Sequence, residues 1–265
     1  MKTSASMLIL RMKARIISIF NTEKKGAKMP ISEVYNMDCM EYMKDIPDKF
    51  FDLAVVDPEY GIGIAKRNGS IGQKKGQGKL TRYRSKDWDS KPPDKKYFDE
   101  LFRVSKNQII FGANYFSQYL PPSKGWIVWD KKQPEGVSFA MAELVFTSFN
   151  ISVKTFSCSR AYIGNKVANN DKLAQKWIKI HPTQKPIPLY AWILKNYANA
   201  GDKILDTHLG SGSSRIAAYK LGFDFYATEI DNEYFEAQEQ RFRHECFGEI
   251  KTEKGILVQT SLFGV

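Results

Sequence analysis

The sequence predicts an α/β protein organised on a mixed, mostly parallel sheet with an antiparallel edge pair, and three observations predict it. The run Phe51–Val56, apolar except at Asp52 and ending in the β-branched pair Val55-Val56, has the composition of a strand buried on both faces, and it stops abruptly at Asp57-Pro58-Glu59-Tyr60-Gly61. Residues 203–231 read as strand, glycine turn, helix, strand and acid, a unit of the dinucleotide-binding type. Residues 143–149 and 151–157 look like an antiparallel pair with Phe149-Asn150 at the bend.

The elements follow in chain order. Residues 1–29 form a basic arm, because the apolar stretch 7–20 is interrupted by Arg11, Lys13 and Arg15 and has neither the length of a membrane span nor the cleavage site of a signal peptide. One folded domain is expected over residues 30–250. It opens with a strand over 32–36 and a helix over 38–43, then the strand Phe51–Val56. Residues 61–96, rich in Gly, Lys and Arg and poor in large apolar side chains, read as a long mobile loop. Tyr97, Phe98, Leu101 and Phe102 restore helical spacing over 95–106, ahead of strands over 108–111 and 126–129. After the expected antiparallel pair, residues 159–180 carry no strong periodicity. Residues 181–186, HPTQKP, open a helix through Leu189, Trp192, Ile193 and Tyr197. A strand over 203–205, a helix over 214–221, a strand over 223–228 and a helix over 233–246 complete the domain, and residues 251–265 are a tail.

The chain carries a formal charge of +11, and that charge is localised. Residues 65–96 hold eleven Lys/Arg against three Asp, and residues 1–29 hold seven against one Glu, so the remainder is slightly acidic. A polyanionic partner is the natural inference. The cysteines, Cys39, Cys158 and Cys246, lie far apart with no metal-binding spacing, so a reduced, cytoplasmic protein without a metal site is expected.

Two blocks carry the chemistry. In an open α/β sheet the carboxyl ends of strands face the ligand crevice, so Asp57 and Tyr60 should stand over whatever binds there. Asp57 and the Pro58 carbonyl can each accept a hydrogen from an amine, and Tyr60 offers a flat face for stacking. Together they describe a clamp for an exocyclic amine on a planar base; a plain turn after a strand is the alternative. In the second block, Asp206 precedes Gly210, Ser211, Gly212, Ser213 and Ser214, where glycines let the backbone approach a ligand and a helix N-terminus presents its amides. Glu229, at the tip of the next strand, can accept ribose hydroxyls. No third glycine brings helix and strand together around a pyrophosphate, which favours a cofactor with a ribose and no diphosphate, such as S-adenosyl-L-methionine, over a dinucleotide.

Residues 57–60, 181–186 and 206–214, in that order, resemble the beta-class amino DNA methyltransferases, in which the catalytic tetrapeptide precedes the cofactor loop, and the resemblance runs from about residue 31 to 247. It implies a Rossmann-like methyltransferase sheet with permuted motif order and methylation of adenine N6 or cytosine N4 in double-stranded DNA. The acid at Asp57 favours adenine. By position, Asp57 and Pro58 would hold the amine and Tyr60 would stack on the flipped base. Asp38 would contact the cofactor adenine and Glu229 its ribose, with Thr183 and Lys185 lining the methionine end. Asp38 is equally placed to cap the helix that follows it. The basic loop after the clamp, through Lys66, Arg67, Lys74, Lys75, Lys79, Arg82 and Arg84, is expected to close on DNA phosphates, and residues 158–180 leave room for a short target-recognition segment. A homodimer and a cognate restriction nuclease are partners the resemblance allows, in a bacterial or phage-encoded setting.

Two departures from the family pattern stand out: Glu59 where a second proline is usual, and Thr207-His208 where a proline and a phenylalanine are usual. They leave room for a DNA-binding protein that keeps a cofactor pocket but not turnover, while a nicotinamide oxidoreductase is the weakest rival.

Overall fold

Leu53 and Val55 pack into one apolar cluster and Ala54 and Val56 into another, so the strand that carries them is covered on both faces. In the computed structural model, which describes residues 29–63, 89–133, 135–136, 140–159, 179–252 and 255–258, this strand is β2. The chain runs β1 (Ser32–Tyr35), α1 (Cys39–Lys44), β2 (Phe51–Val56), α2 (Lys95–Val104), β3 (Ser105–Phe111), β4 (Trp126–Asp130), β5 (Ala142–Thr147) and β6 (Lys154–Ser157). It continues through α3 (Ile187–Tyr197), β7 (Lys203–Asp206), α4 (Ser213–Leu221), β8 (Asp224–Thr228), α5 (Asn232–Phe247), β9 (Glu249–Thr252) and β10 (Gly255–Val258).

The first eight strands form one sheet in the order β1-β8-β7-β2-β3-β5-β4-β6. All neighbours pair in parallel except β5, which is antiparallel to both β3 and β4. Helices α1 and α2 pack on one face, through Tyr42, Met43, Phe98 and Leu101, and α3, α4 and α5 on the other, through Leu189, Ile193, Ala217 and Phe235. Helices α1, α2 and α5 start at aspartates, Asp38, Asp94 and Asp231, whose carboxylates accept the first free backbone amides.

The mostly parallel sheet matches the expectation, but the pairing in its far half corrects it. Strands β5 and β6 do not form a hairpin: β5 lies between β3 and β4, and β6 adds in parallel to the outer side of β4. The reason lies in the connection, where Phe149 and Ile151 pack against the core and carry the chain across instead of reversing it. A second difference is the β9–β10 hairpin, which begins two residues before the expected tail. Among the described residues no helix is long and apolar enough to cross a membrane. Residues 1–28 of the arm, 64–88 of the basic loop, with all seven of its named lysines and arginines, and most of the segment 158–180 lie outside the described residues.

Candidate active site

The central strands β2 and β7 lie side by side, with Leu53 and Ala54 opposite Ile204 and Leu205, so the turns that follow them open on the same edge of the sheet. One cleft spans that edge. Asp57, Pro58 and Tyr60 line it from the end of β2, Gly210 and Ser211 from the loop after β7, Glu229 from the end of β8, and Asp38, Thr183 and Lys185 from flanking turns.

At the clamp, Tyr60 places its hydroxyl oxygen 2.6 Å from Asp57 Oδ1 and 2.7 Å from Glu143 Oε1. Lys185, only 4% exposed, pairs with Asp57 Oδ2 and lies 3.1 Å from Glu143 Oε1, while Lys131 holds the other oxygen of Glu143 at 2.8 Å. Burial raises the Asp57 carboxyl above its ordinary range, against the pull of Lys185 and with the push of Glu143. Burial acts the same way on Glu143, but Lys185 and Lys131 outweigh it and bring that carboxyl down to about 2. The surroundings therefore push the two carboxyls in opposite directions. The Tyr60 ring stacks on Tyr115 at 4.9 Å and 13°, and it leans so closely on Gly112 that a Cβ there would fall 2.2 Å from the ring.

In the loop after β7, Gly210 and Gly212 both adopt left-handed backbone angles, φ +52° and +72°. Glu229 accepts from the amides of Gly210 at 2.8 Å and Asp231 at 2.9 Å, one on each oxygen, which fixes the carboxylate and leaves lone pairs for hydroxyl donors. Burial outweighs those two amides and raises its pKa to about 7. Asp38 caps α1 through Oδ1 alone, so both readings of this residue are compatible: its second oxygen is not consumed by the cap.

Comparison with known proteins places the chain beside one family. Residues 113–240 match the N6/N4 family model described as DNA methylase. The type II methyltransferase M1.MboII of Moraxella bovis is 25% identical, over 78% of this chain and 94% of its own. Over these stretches the chain resembles the N6/N4 DNA methylases. Among solved structures, the PvuII cytosine-N4-specific DNA methyltransferase superposes with a TM-score of 0.55 at 14% identity, over 82% of this chain and 89% of that one. The M1.HpyAVI–SAM complex superposes with a TM-score of 0.50 at 16% identity, over 78% and 98%. These two likenesses establish the methyltransferase fold. S-adenosyl-L-methionine is the methyl donor of the family.

Of the thirteen expected site residues that fall among the described residues, nine line the cleft, and three differences stand out. Asp206, Gly212, Ser213 and Ser214 do not line it. They build the turn from behind: Asp206 accepts from the Ser214 hydroxyl and the His208 amide, and Ser213 donates to the Lys185 carbonyl. Lys185 pairs with Asp57 through its ammonium and accepts from the Ser213 hydroxyl through its carbonyl, so it lies between the turn after β2 and the loop after β7. Glu143, Lys131 and Arg241 were not singled out by any motif. Arg241, reaching from α5, donates to the Ser211 carbonyl at 2.6 Å and the Ser213 hydroxyl at 2.9 Å and so anchors the glycine turn. The signal for Glu143 was available: an acid at the start of an antiparallel strand lies on the same sheet edge as the ends of the parallel ones.

Proposed function

We propose that this protein transfers the methyl group of S-adenosyl-L-methionine to the exocyclic N6 amine of an adenine extruded from double-stranded DNA. The observation that carries the reading is the meeting of Asp57 and Pro58 with Gly210 and Glu229 across one cleft, an amine clamp facing a nucleoside cradle. The acid at the head of the tetrapeptide favours adenine over cytosine in the beta-class pattern.

The residues fit the cofactor. Glu229, already oriented by two amides, would take the ribose hydroxyls, the uncapped oxygen of Asp38 the adenine, and Thr183, Gly210 and Ser211 the methionine end. When bound, the cofactor supplies an electrophilic methyl carried on a positively charged sulfur.

An aromatic amine is a poor nucleophile because its lone pair is delocalised into the ring. Asp57 Oδ1 and the Pro58 carbonyl would accept its two hydrogens, favour a more tetrahedral nitrogen and turn the lone pair toward the cofactor side. Orientation of this kind is worth at most about 7–11 kcal/mol of barrier. Asp57 also stabilises the positive charge that develops on nitrogen and, with its carboxyl raised by burial, can hold the proton the nitrogen sheds. Extrusion costs stacking, and the Tyr60 ring at the cleft would offset part of it. Phosphate contacts fall to the basic loop, with Lys66, Arg67, Lys74, Lys75, Lys79, Arg82 and Arg84 as the residues placed by sequence.

The test is to incubate the purified protein with duplex DNA and isotopically labelled cofactor, digest the DNA to nucleosides and weigh them. Labelled N6-methyladenine is expected. Labelled N4-methylcytosine would transfer the reading to the other base, and no labelled nucleoside would reduce the protein to a DNA binder with a cofactor pocket.

A further inference from the structure

Tyr60 stands between two carboxylates with one hydrogen to give. Its oxygen lies 2.6 Å from Asp57 Oδ1 and 2.7 Å from Glu143 Oε1, yet a phenol donates only one bond at a time. The phenol keeps that hydrogen, because burial and the two neighbouring negative charges push its pKa well above the ordinary value. Lys185 bridges the same two carboxylates and Lys131 fixes Glu143 from the far side. The ring cannot drift far, being stacked on Tyr115 and seated against Gly112.

We infer that the Tyr60 hydroxyl holds the place on Asp57 Oδ1 that the target amine later takes, and that Glu143 is the positioning residue that receives the hydroxyl when the base enters. The inference rests on the proposed role of Asp57 as the amine acceptor. A buried carboxylate oxygen without a donor is costly, and Tyr60 supplies the donor before a base arrives. The same bond would compete with the amine. Glu143 removes the competition: it already lies within bonding distance, so the hydroxyl hydrogen swings about the C–O bond from one carboxylate to the other without a heavy atom moving. The exchange raises the number of hydrogen bonds to carboxylates by one, since the amine now serves Asp57 and the phenol serves Glu143. Lys185 remains paired with both acids throughout, so the charge balance of the site is unchanged. Without an acceptor at position 143, the hydroxyl either stays on Asp57 and blocks the amine or has no carboxylate to take its hydrogen, keeping only the bond it accepts from Lys185 at 3.3 Å.

The experiment measures kcat, KM for DNA and cofactor affinity with PCR-amplified genomic DNA, which carries no amine methylation, for Glu143→Gln, Glu143→Leu, Tyr60→Phe and the double variant Tyr60→Phe/Glu143→Leu. Glu143→Leu should lose about tenfold or more in kcat/KM for DNA, the scale of one hydrogen bond to a charged group, with cofactor affinity unchanged. Glu143→Gln, whose amide oxygen still accepts, should recover most of that loss, and so should the double variant, which has no hydroxyl to relocate. A double variant no better than Glu143→Leu overturns the inference. If Glu143→Leu does not fold, the isosteric Tyr60→Phe decides: a KM for DNA below that of the parent supports displacement of the hydroxyl, and an unchanged or higher KM overturns it. Asp57→Ala is the control for the underlying reading. If it transfers methyl as fast as the parent, the proposed function fails and the inference falls with it; if it is inactive and the double variant is not rescued, the inference alone fails.

Discussion

The Glu59 carboxylate lies 3.2 Å from Nε2 of His208. These residues occupy the two motif positions where the sequence departs from the family pattern, and the fold sets them against each other. His208 is further held by its Nδ1, 2.9 Å from the Thr207 hydroxyl, and by the edge of Tyr97 at 5.3 Å. Burial works against the charge on His208, but Glu59 outweighs it and raises the imidazole well above its usual value. Burial would raise Glu59, but His208 lowers it. The turn after β2 and the loop after β7 are thus joined by an ionic contact between the two departures, which accommodates them together.

The sign of the pH dependence follows. A raised imidazole contributes stability that is full below its unfolded pKa and is lost as pH rises through the folded one; a lowered carboxyl contributes stability that is lost as pH falls through its folded pKa. Glu59→Gln should therefore destabilise the protein by about 1–3 kcal/mol near neutrality. The difference from the parent should shrink as the solution is made alkaline through the raised pKa of His208. Denaturant melts across pH check this, and a difference that persists unchanged into alkali would contradict the pairing.

Glu229 titrates at about 7, so its carboxylate is only partly ionised at neutral pH. Hydroxyl donors prefer the anion. Cofactor affinity should hold on the alkaline side and weaken as the pH drops below about 7, and Glu229→Gln should bind more weakly and lose that dependence. Calorimetric titrations of S-adenosyl-L-methionine on the two proteins test it; a parallel pH profile for the variant would remove Glu229 from the ribose end.

Arg241 touches the glycine turn only from behind, through the Ser211 carbonyl and the Ser213 hydroxyl. Arg241→Met keeps the length of the side chain and removes both bonds. It should weaken cofactor binding by about tenfold, the scale of one charged hydrogen bond, while far-ultraviolet circular dichroism stays unchanged. Unaltered affinity would show that the turn holds its shape without the arginine.

How much of this was legible in the sequence depended on which rule each residue obeys. Asp57, Gly210 and Glu229 follow parallel strands whose ends face the crevice, and an apolar run ending in an acid announces such a place. Glu143 lies near the start of β5, the single strand of the large sheet that runs the other way, so only a reading that already knew this reversal would place it on the crevice edge. The same reversal explains the misplaced edge pair: residues 143–157 carry the composition of two strands but not the information that β4 fits between them. Lys185 lies in a motif read as lining the methionine end, yet its ammonium is drawn to the two buried acids on the neighbouring strands, a contact that only the tertiary fold defines. Asp206 looked like a ligand contact and is a turn anchor, because the Ser214 hydroxyl and the His208 amide claim its two oxygens. The β9–β10 hairpin is short and keeps Ile256 and Val258 exposed, so it offers little hydrophobic pattern to read.

The basic stretch after the clamp makes its own prediction. Replacing Lys74, Lys75, Lys79, Arg82 and Arg84 together by alanine should weaken DNA binding and flatten its salt dependence, by about 0.9 in log–log slope for each phosphate that is no longer neutralised. Cofactor affinity should not change. Binding isotherms at several salt concentrations measure the slope, and an unchanged slope would take the stretch out of the interface.

The most direct test of the account measures methyl transfer and cofactor binding side by side on Asp57→Ala. The side chain lines the cleft opposite the cofactor cradle and is assigned to the amine alone. The account predicts that transfer of labelled methyl to duplex DNA ceases while the protein still binds S-adenosyl-L-methionine with the affinity of the parent. Continued transfer at the parental rate by the alanine variant would contradict it.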